Sequence, residues 1–262
     1  MRALLVLALL GLASPAQEAK AKIVLIGKDR DHPFATHEYM SECRLLAACL
    51  RQTPGVEAAV SDGWPKDPEI LKDAKCIVLY TAMGGDVLFK GPNKDAVLDL
   101  LRRGTGLAAI HWSTGASEGE PEELQLKHLG GCFGFKFSKF LVRETTLKRA
   151  DPAHPVARGW EDFKLKDEYY IQLKHLPETK PAMTAEIDGK DHTVAWTYER
   201  PDGGRSFGTV NGHFHDCFGI EAFRRGLVNG ILWAAKLDVP KDGAPCAVTP
   251  KDLELPPDTR KK

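Results

Sequence analysis

Four short segments of this 262-residue chain gather side chains that can move protons or hold metal ions, and each follows an apolar run. Phe207-Gly-Thr-Val-Asn-Gly212 leads into His213-Phe-His215-Asp216, and Gly106-Leu-Ala-Ala-Ile110 leads into His111-Trp112-Ser113-Thr114. Lys22-Ile-Val-Leu-Ile26 is followed by Asp31-His32 and then His37-Glu38-Tyr39, and Cys76-Ile-Val-Leu-Tyr80 by Met83-Gly84-Gly85-Asp86. Imidazoles and carboxylates that titrate near neutrality suit general acid–base work on a polar substrate. The same nitrogens and oxygens are ordinary ligands of a divalent metal such as zinc, with His37, His111 and His213 as the candidate ligands. At an extended strand end, His213 and His215 point the same way, which permits shared ligation. Neither an HExxH nor a CxxC pattern occurs. A lone histidine is usually a structural or surface residue; several histidines, each just beyond a predicted strand, point to one shared site.

The elements that would carry these residues alternate regularly. Lys22–Ile26, Val56–Val60, Cys76–Tyr80 and Gly106–Ile110 read as strands, three of them continuous apolar runs as expected of strands buried on both faces. Between them, Thr36–Arg51 and Asn93–Arg103 read as helices, the first stopped by Thr53-Pro-Gly55 and the second by Gly104. This β-α-β alternation with short connections predicts a doubly wound, mainly parallel α/β sheet. In such sheets ligands bind just beyond the carboxyl ends of the strands, where the four segments fall. From Phe140 to Val210 the pattern shifts to alternation, as in Thr193-Val-Ala-Trp-Thr-Tyr198, and Pro201-Asp-Gly-Gly204 marks a hairpin. Extra antiparallel strands are expected there. Arg205–Val210 returns to an apolar strand, and Ile220–Lys236 reads as a helix with Phe223, Leu227, Ile231 and Leu232 on one stripe. The proline- and charge-rich residues 239–262 read as an irregular arm with little to bury.

Composition narrows the partner. Lysine plus arginine equals aspartate plus glutamate at 36 each, so no global field favours nucleic acid or an acidic membrane. A small neutral molecule such as a carbohydrate fits better. Met1-Arg2, the apolar run Ala3–Leu12 and the small residues Ser14-Pro-Ala16 read as an export signal cleaved after Ala16. That run is too short for a bilayer span of about 20 residues, and the mature chain has no second long apolar run. The six cysteines lack the spacing of a disulfide scaffold and are expected to be buried free thiols. The sequence sets no oligomeric state.

Two further segments bear on chemistry. At a strand-to-helix elbow that carries a nucleophile, small residues flank a cysteine or serine. Here the elbow reads Ala109-Ile110-His111-Trp112-Ser113, with no cysteine, a bulky Trp112, and Ser113 two residues late. Acyl transfer from this position is therefore not expected. Asp167-Glu168-Tyr169-Tyr170 reads as the opening of a strand, with Glu168 and Tyr169 suited to a sugar-binding wall.

Taken together, Gly106-Leu-Ala-Ala-Ile-His111, Asp151-Pro-Ala-His-Pro155, Asp167-Glu-Tyr-Tyr170, Thr193-Val-Ala-Trp196, Gly212-His213 and Phe223-Arg-Arg-Gly-Leu-Val-Asn-Gly-Ile-Leu-Trp233 resemble the ThuA-like proteins. The resemblance covers roughly residues 22–237 and implies a class I glutamine-amidotransferase-like, flavodoxin-like fold in a domain of residues 22–238. It also implies a role in carbohydrate metabolism, on a sugar, glycoside or 3-keto-sugar, and loss of the amidotransferase cysteine. His213 falls near the position of the amidotransferase triad histidine. The family pattern is a plainer Gly-His-Asp, whereas Phe214 and His215 here separate His213 from Asp216. The expected catalytic set is His111, His213, His215 and Glu38. His37, Tyr39, Gly84, Gly85, Trp112, Ser113, Glu168, Tyr169 and Asp216 are expected to bind substrate. The alternative is a non-catalytic carbohydrate-binding module that stacks sugars on Trp112, Tyr169 and Phe214.

Overall fold

The computed structural model describes residues 20–258; the expected leader, residues 1–16, lies outside them. In chain order the first half comprises β1 (Ala21–Gly27), α1 (Tyr39–Leu50), β2 (Val56–Asp62), β3 (Ala74–Leu79), α2 (Gly84–Phe89), α3 (Lys94–Arg102), β4 (Gly106–Ile110) and α4 (Glu120–Leu129). The second half adds β5 (Gly131–Cys132), β6 (Lys139–Arg149), β7 (Phe163–Ile171), β8 (Lys174–His175), β9 (Lys180–Ile187), β10 (Lys190–Glu199), β11 (Arg205–Thr209) and α5 (Glu221–Ala234). Element positions follow the hydrophobic patterns to within a few residues, with one informative exception. The helix expected from Thr36 begins only at Tyr39, because Ala35 and His37 adopt positive φ (62° and 51°) that no helix accommodates.

A nine-stranded sheet runs β2-β1-β3-β4-β11-β10-β9-β6-β7. Its first five strands pair in parallel, and their order is the flavodoxin-like 2-1-3-4-5 when β11 counts as the fifth. The remaining strands pair antiparallel, giving the extension expected after Phe140. This is the mainly parallel, flavodoxin-like core with antiparallel additions.

Helices cover both faces. On one, Phe207 of β11 packs flat against Gly230 of α5, where a Cβ would meet the ring at 2.6 Å. The next residue, Gly208, faces the opposite way and lies under Trp196 of β10. The Trp196 indole N–H donates to the Leu129 carbonyl at the end of α4, 3.0 Å away. Alternation along β11 thus fixes one helix layer on each side, and the strands between are almost wholly buried.

Two expectations are corrected. The C-terminal arm is irregular apart from a short turn at Pro250–Leu253, yet it buries Val239, Ala244 and Cys246. Arg224 donates to the Cys246 carbonyl, and Asn229 accepts from the Ala244 amide. Hydrogen bonding from α5, not apolar content alone, seats the arm. Asp167 and Glu168 lie in the middle of β7 and do not open it, because the strand begins at Phe163, four residues before Asp167. All six cysteines are free and buried, and no helix among the described residues is long and apolar enough to cross a membrane.

Trp196→Ala removes a fully buried ring that joins the two halves of the sheet to α4. Urea denaturation should show a loss of about 3–5 kcal/mol. A loss below 1 kcal/mol would contradict this packing.

Candidate functional site

Three loops at the carboxyl ends of β1, β4 and β11 bring His37, His111 and His213 together. His111 is the first residue beyond β4 and takes φ 55°, turning its ring back over the strand ends. His37 is likewise left-handed. Such conformations cost on the order of 1–3 kcal/mol for a non-glycine residue and persist only where surroundings enforce them. Main-chain bonds supply the enforcement: the His37 amide donates to the His213 carbonyl (3.0 Å) and the His215 amide to the Ala35 carbonyl (2.9 Å). The buried Asp167 carboxylate accepts the amides of Gly212, His213 and Phe214 at 2.6, 3.0 and 3.4 Å. The Tyr80 hydroxyl donates to the Gly212 carbonyl.

The three rings converge nitrogen to nitrogen. His37 Nε2 lies 2.9 Å from His213 Nδ1 and 3.0 Å from His111 Nε2, and the last two are 3.2 Å apart. The outward nitrogens determine where the protons sit. His111 Nδ1 lies 2.6 Å from the Val210 carbonyl, which can only accept, so its proton is there and Nε2 presents a lone pair. His37 Nδ1 lies 3.2 Å from an Asp31 carboxylate oxygen and 2.8 Å from the Tyr39 hydroxyl. Donation to Asp31 leaves His37 Nε2 as a second lone pair. In that tautomer the two Nε2 lone pairs converge, with the Tyr170 hydroxyl as a donor within reach of His111 Nε2.

Electrostatics keeps the imidazoles neutral. Burial pushes His37 down to about 3, with help from His32 and His213, and His213 down to about 4, with help from His32. Burial, then the neighbouring His37, drives His111 well below its usual range. Burial alone would raise Asp31, but hydrogen bonds from Lys28, His32 and His37 and the Lys28 charge hold it well below the carboxylate range. Asp31 is thus the anionic partner that orients His37. Glu168 Oε2 stands 3.6 Å from both His111 Nε2 and His213 Nδ1. Burial raises its affinity for a proton. The Tyr170 hydroxyl lies 3.1 Å from His111 Nε2.

This donor set fits a divalent ion. Two ligands roughly 2.0–2.1 Å from a tetrahedral ion lie about 3.3 Å apart, close to the separations seen here. Three neutral imidazole nitrogens suit a zinc-class cation and leave a fourth position beside Glu168. A cleft of about 220 Å³ opens over the cluster, with His32, Trp112, Phe135 and Phe140 among its walls.

Other expected site residues have different work. His215 opens a short 3-10 turn because the strand ends at Thr209, so the period-2 argument does not apply; its ring reaches Glu42 (2.5 Å) and the Leu253 carbonyl (2.7 Å). Glu38 accepts from the Ala35 amide and pairs with Arg30. Asp216 is exposed beside a separate cleft with Glu144 and Lys164. Gly84 and Gly85 press on the Ser113 carbonyl and Ala116, so their close approach serves a neighbouring loop. Ser113 is buried and its hydroxyl donates to the Thr81 carbonyl. Tyr39 is buried behind His37. Tyr169 faces away, its hydroxyl on the Leu165 carbonyl; strand alternation gives the wall to Glu168 and Tyr170.

The orienting roles of Asp31 and Asp167 and the position of Tyr170 went unread in the sequence, although period 2 from Glu168 points to Tyr170. Asp167→Asn replaces an oxygen that accepts backbone amides with an amide that repels them. It should cost about 2–3 kcal/mol in denaturant unfolding. Metal affinity measured by competition with a chelator should fall about 10–100-fold as His213 loosens. Unchanged affinity would separate Asp167 from the site.

The family model described as ThuA, trehalose utilisation, matches residues 22–234. A ThuA-like protein from Bacteroides uniformis ATCC 8492 is similar in structure at 17% identity and TM-score 0.64, over 89% of this chain and 99% of that one. Another from Parabacteroides merdae ATCC 43184 gives 17% identity and TM-score 0.63, over 90% of this chain and all (100%) of the other. No curated protein matches. With a family match spanning both the parallel core and the antiparallel extension, the chain belongs to the ThuA family.

Proposed function

We propose that this protein is a metal-dependent enzyme acting on a sugar or sugar derivative, with His37, His111 and His213 holding a zinc-class divalent ion and Glu168 moving a proton beside it. The observation that carries this reading is the convergence of three imidazole nitrogens, His37 Nε2, His111 Nε2 and His213 Nδ1, at 2.9, 3.0 and 3.2 Å from one another. A cation among them would draw all three ring nitrogens onto one centre. A bound ion polarises a carbonyl or hydroxyl of the substrate or acidifies a bound water. Glu168 is placed to accept or return the proton, and burial brings its pKa toward the working range of a general base.

The carbohydrate half of the proposal rests on the family, whose description is trehalose utilisation. Histidine acid–base chemistry without metal would need one ring as a charged imidazolium acid, a form that burial disfavours in all three. A purely binding module gains nothing from burying three converging imidazoles. The leader-like N-terminus supports export, so the chemistry is proposed to occur outside the cytoplasm.

Elemental analysis of the purified full chain should find about one divalent ion per chain, lost in His111→Ala and His213→Ala. Chelation should lower the melting temperature, and adding zinc back at about 1,000 times its Kd should restore about 4 kcal/mol. Glu168→Gln should keep the ion. It should abolish turnover of whichever sugar or 3-keto-sugar gives a metal-dependent thermal shift. Protein without stoichiometric metal and indifferent to chelators would sink the proposal.

A further inference from the structure

The cleft above the histidines is chemically lopsided. Its polar groups, His32, His37, Glu168 and the Tyr170 hydroxyl, lie against the histidine cluster. From there a chain of rings leads outward. Tyr170 stacks on His111 with centroids 4.8 Å apart, Phe133 lies 4.5 Å from Tyr170, and Phe135 lies 5.2 Å from Phe133. Phe135 is 63% exposed and Phe140 57%.

The strand register ties this patch to the site. Phe140 pairs with Tyr170 and Val142 with Glu168 across β6 and β7, so all four share one face of the sheet. The strand pair that presents Glu168 to the metal position therefore extends directly into uncovered Phe140 and Val142, the latter 42% exposed. Large apolar groups clustered in the open mark a surface that something covers.

The chemistry of the outer wall decides what covers it: Phe133, Phe135 and Phe140 carry no side-chain hydrogen-bonding group, so the hydroxyls of a second sugar ring would find no polar partner there. A flat apolar group brings none. We infer that the substrate is a glycoside whose sugar reaches the histidine cluster while an aromatic aglycone lies on Phe135 and Phe140. This inference rests on the metal-centre reading for the position of the sugar.

Calorimetric titration of the zinc-loaded full chain tests it, using the 4-nitrophenyl and methyl glycosides of glucose and galactose in both anomers, together with cellobiose and trehalose. At least one nitrophenyl glycoside should bind about tenfold more tightly than its methyl counterpart, the gain expected from covering roughly 60 Å² of apolar surface. In the Phe135→Ala/Phe140→Ala double variant that ratio should fall to about twofold or less, with metal content unchanged. Because both side chains are exposed the variant should fold, and Phe140→Ser alone serves as a second check. The inference is overturned if the methyl and nitrophenyl glycosides bind alike, if a disaccharide outbinds both, if no glycoside binds, or if the ratio survives the substitutions. It is also overturned if the wild type is a dimer that the double variant dissociates, since a second copy would then cover the patch. Metal content is read separately: zinc-bound protein without aryl preference sinks this inference alone, and aryl preference in metal-free protein sinks the metal reading alone.

Discussion

His37 Nε2 and His111 Nε2 face each other 3.0 Å apart, each with its other ring nitrogen committed to an acceptor. Left to itself such a pair would rotate apart or take up a proton to bridge the two rings. Neither escape is open. Rotation would break the His111 contact with the Val210 carbonyl and the His37 contacts with Asp31 and Tyr39. Protonation is opposed by burial, which drives both rings well below their ordinary range. The molecule thus keeps two ring nitrogens pointed at one spot and brings a third, from His213, to the same place.

Holding that geometry explains otherwise costly features nearby. Two of the three histidines occupy left-handed backbone conformations, and both are pinned by contacts to another loop. Asp167 is fully buried, which raises its pKa to about 6, yet it is set against three consecutive amides of the His213 loop. A buried carboxylate so satisfied is a strong anchor, whereas an unsatisfied one would be a liability. Even Gly84 and Gly85 fit this account: they allow the turn after β3 to pack against the Ser113 carbonyl and so brace the loop that begins at His111.

Much of this was legible in the residues themselves. Gly106–Ile110 is apolar throughout and ends at a histidine, so the strand, its burial and the position of His111 just beyond its carboxyl end follow from pattern alone. His37 and His213 fall after similar runs, and the rule that open α/β sheets bind ligands at strand carboxyl ends brings the three together. What pattern could not supply was orientation. His213 and His215 look equivalent in an extended chain, but the strand stops at Thr209 and the following turn sends His215 to Glu42. Tyr169 and Tyr170 were separable only once the register of β7 was known, because a shift of one residue exchanges the faces. Asp167 escaped because its contacts span the fold, with 46 positions between it and His213, and Asp31 because only the left-handed turn at His37 brings the ring six residues on back to its carboxylate.

The division of labour between the two halves of the sheet bears on how such a site acquires specificity. All three histidines come from the parallel core, where strand ends and loop–loop bonds fix them rigidly. Glu168, Tyr170 and Phe140 come from the antiparallel extension, which contributes one face of a strand pair. Side chains on that face can change in size and polarity at every second position without disturbing the buried opposite face, where Tyr169 is locked to Leu165. The core therefore sets where the three ring nitrogens meet, and the extension sets which carboxylate stands beside them and what lines the cleft above.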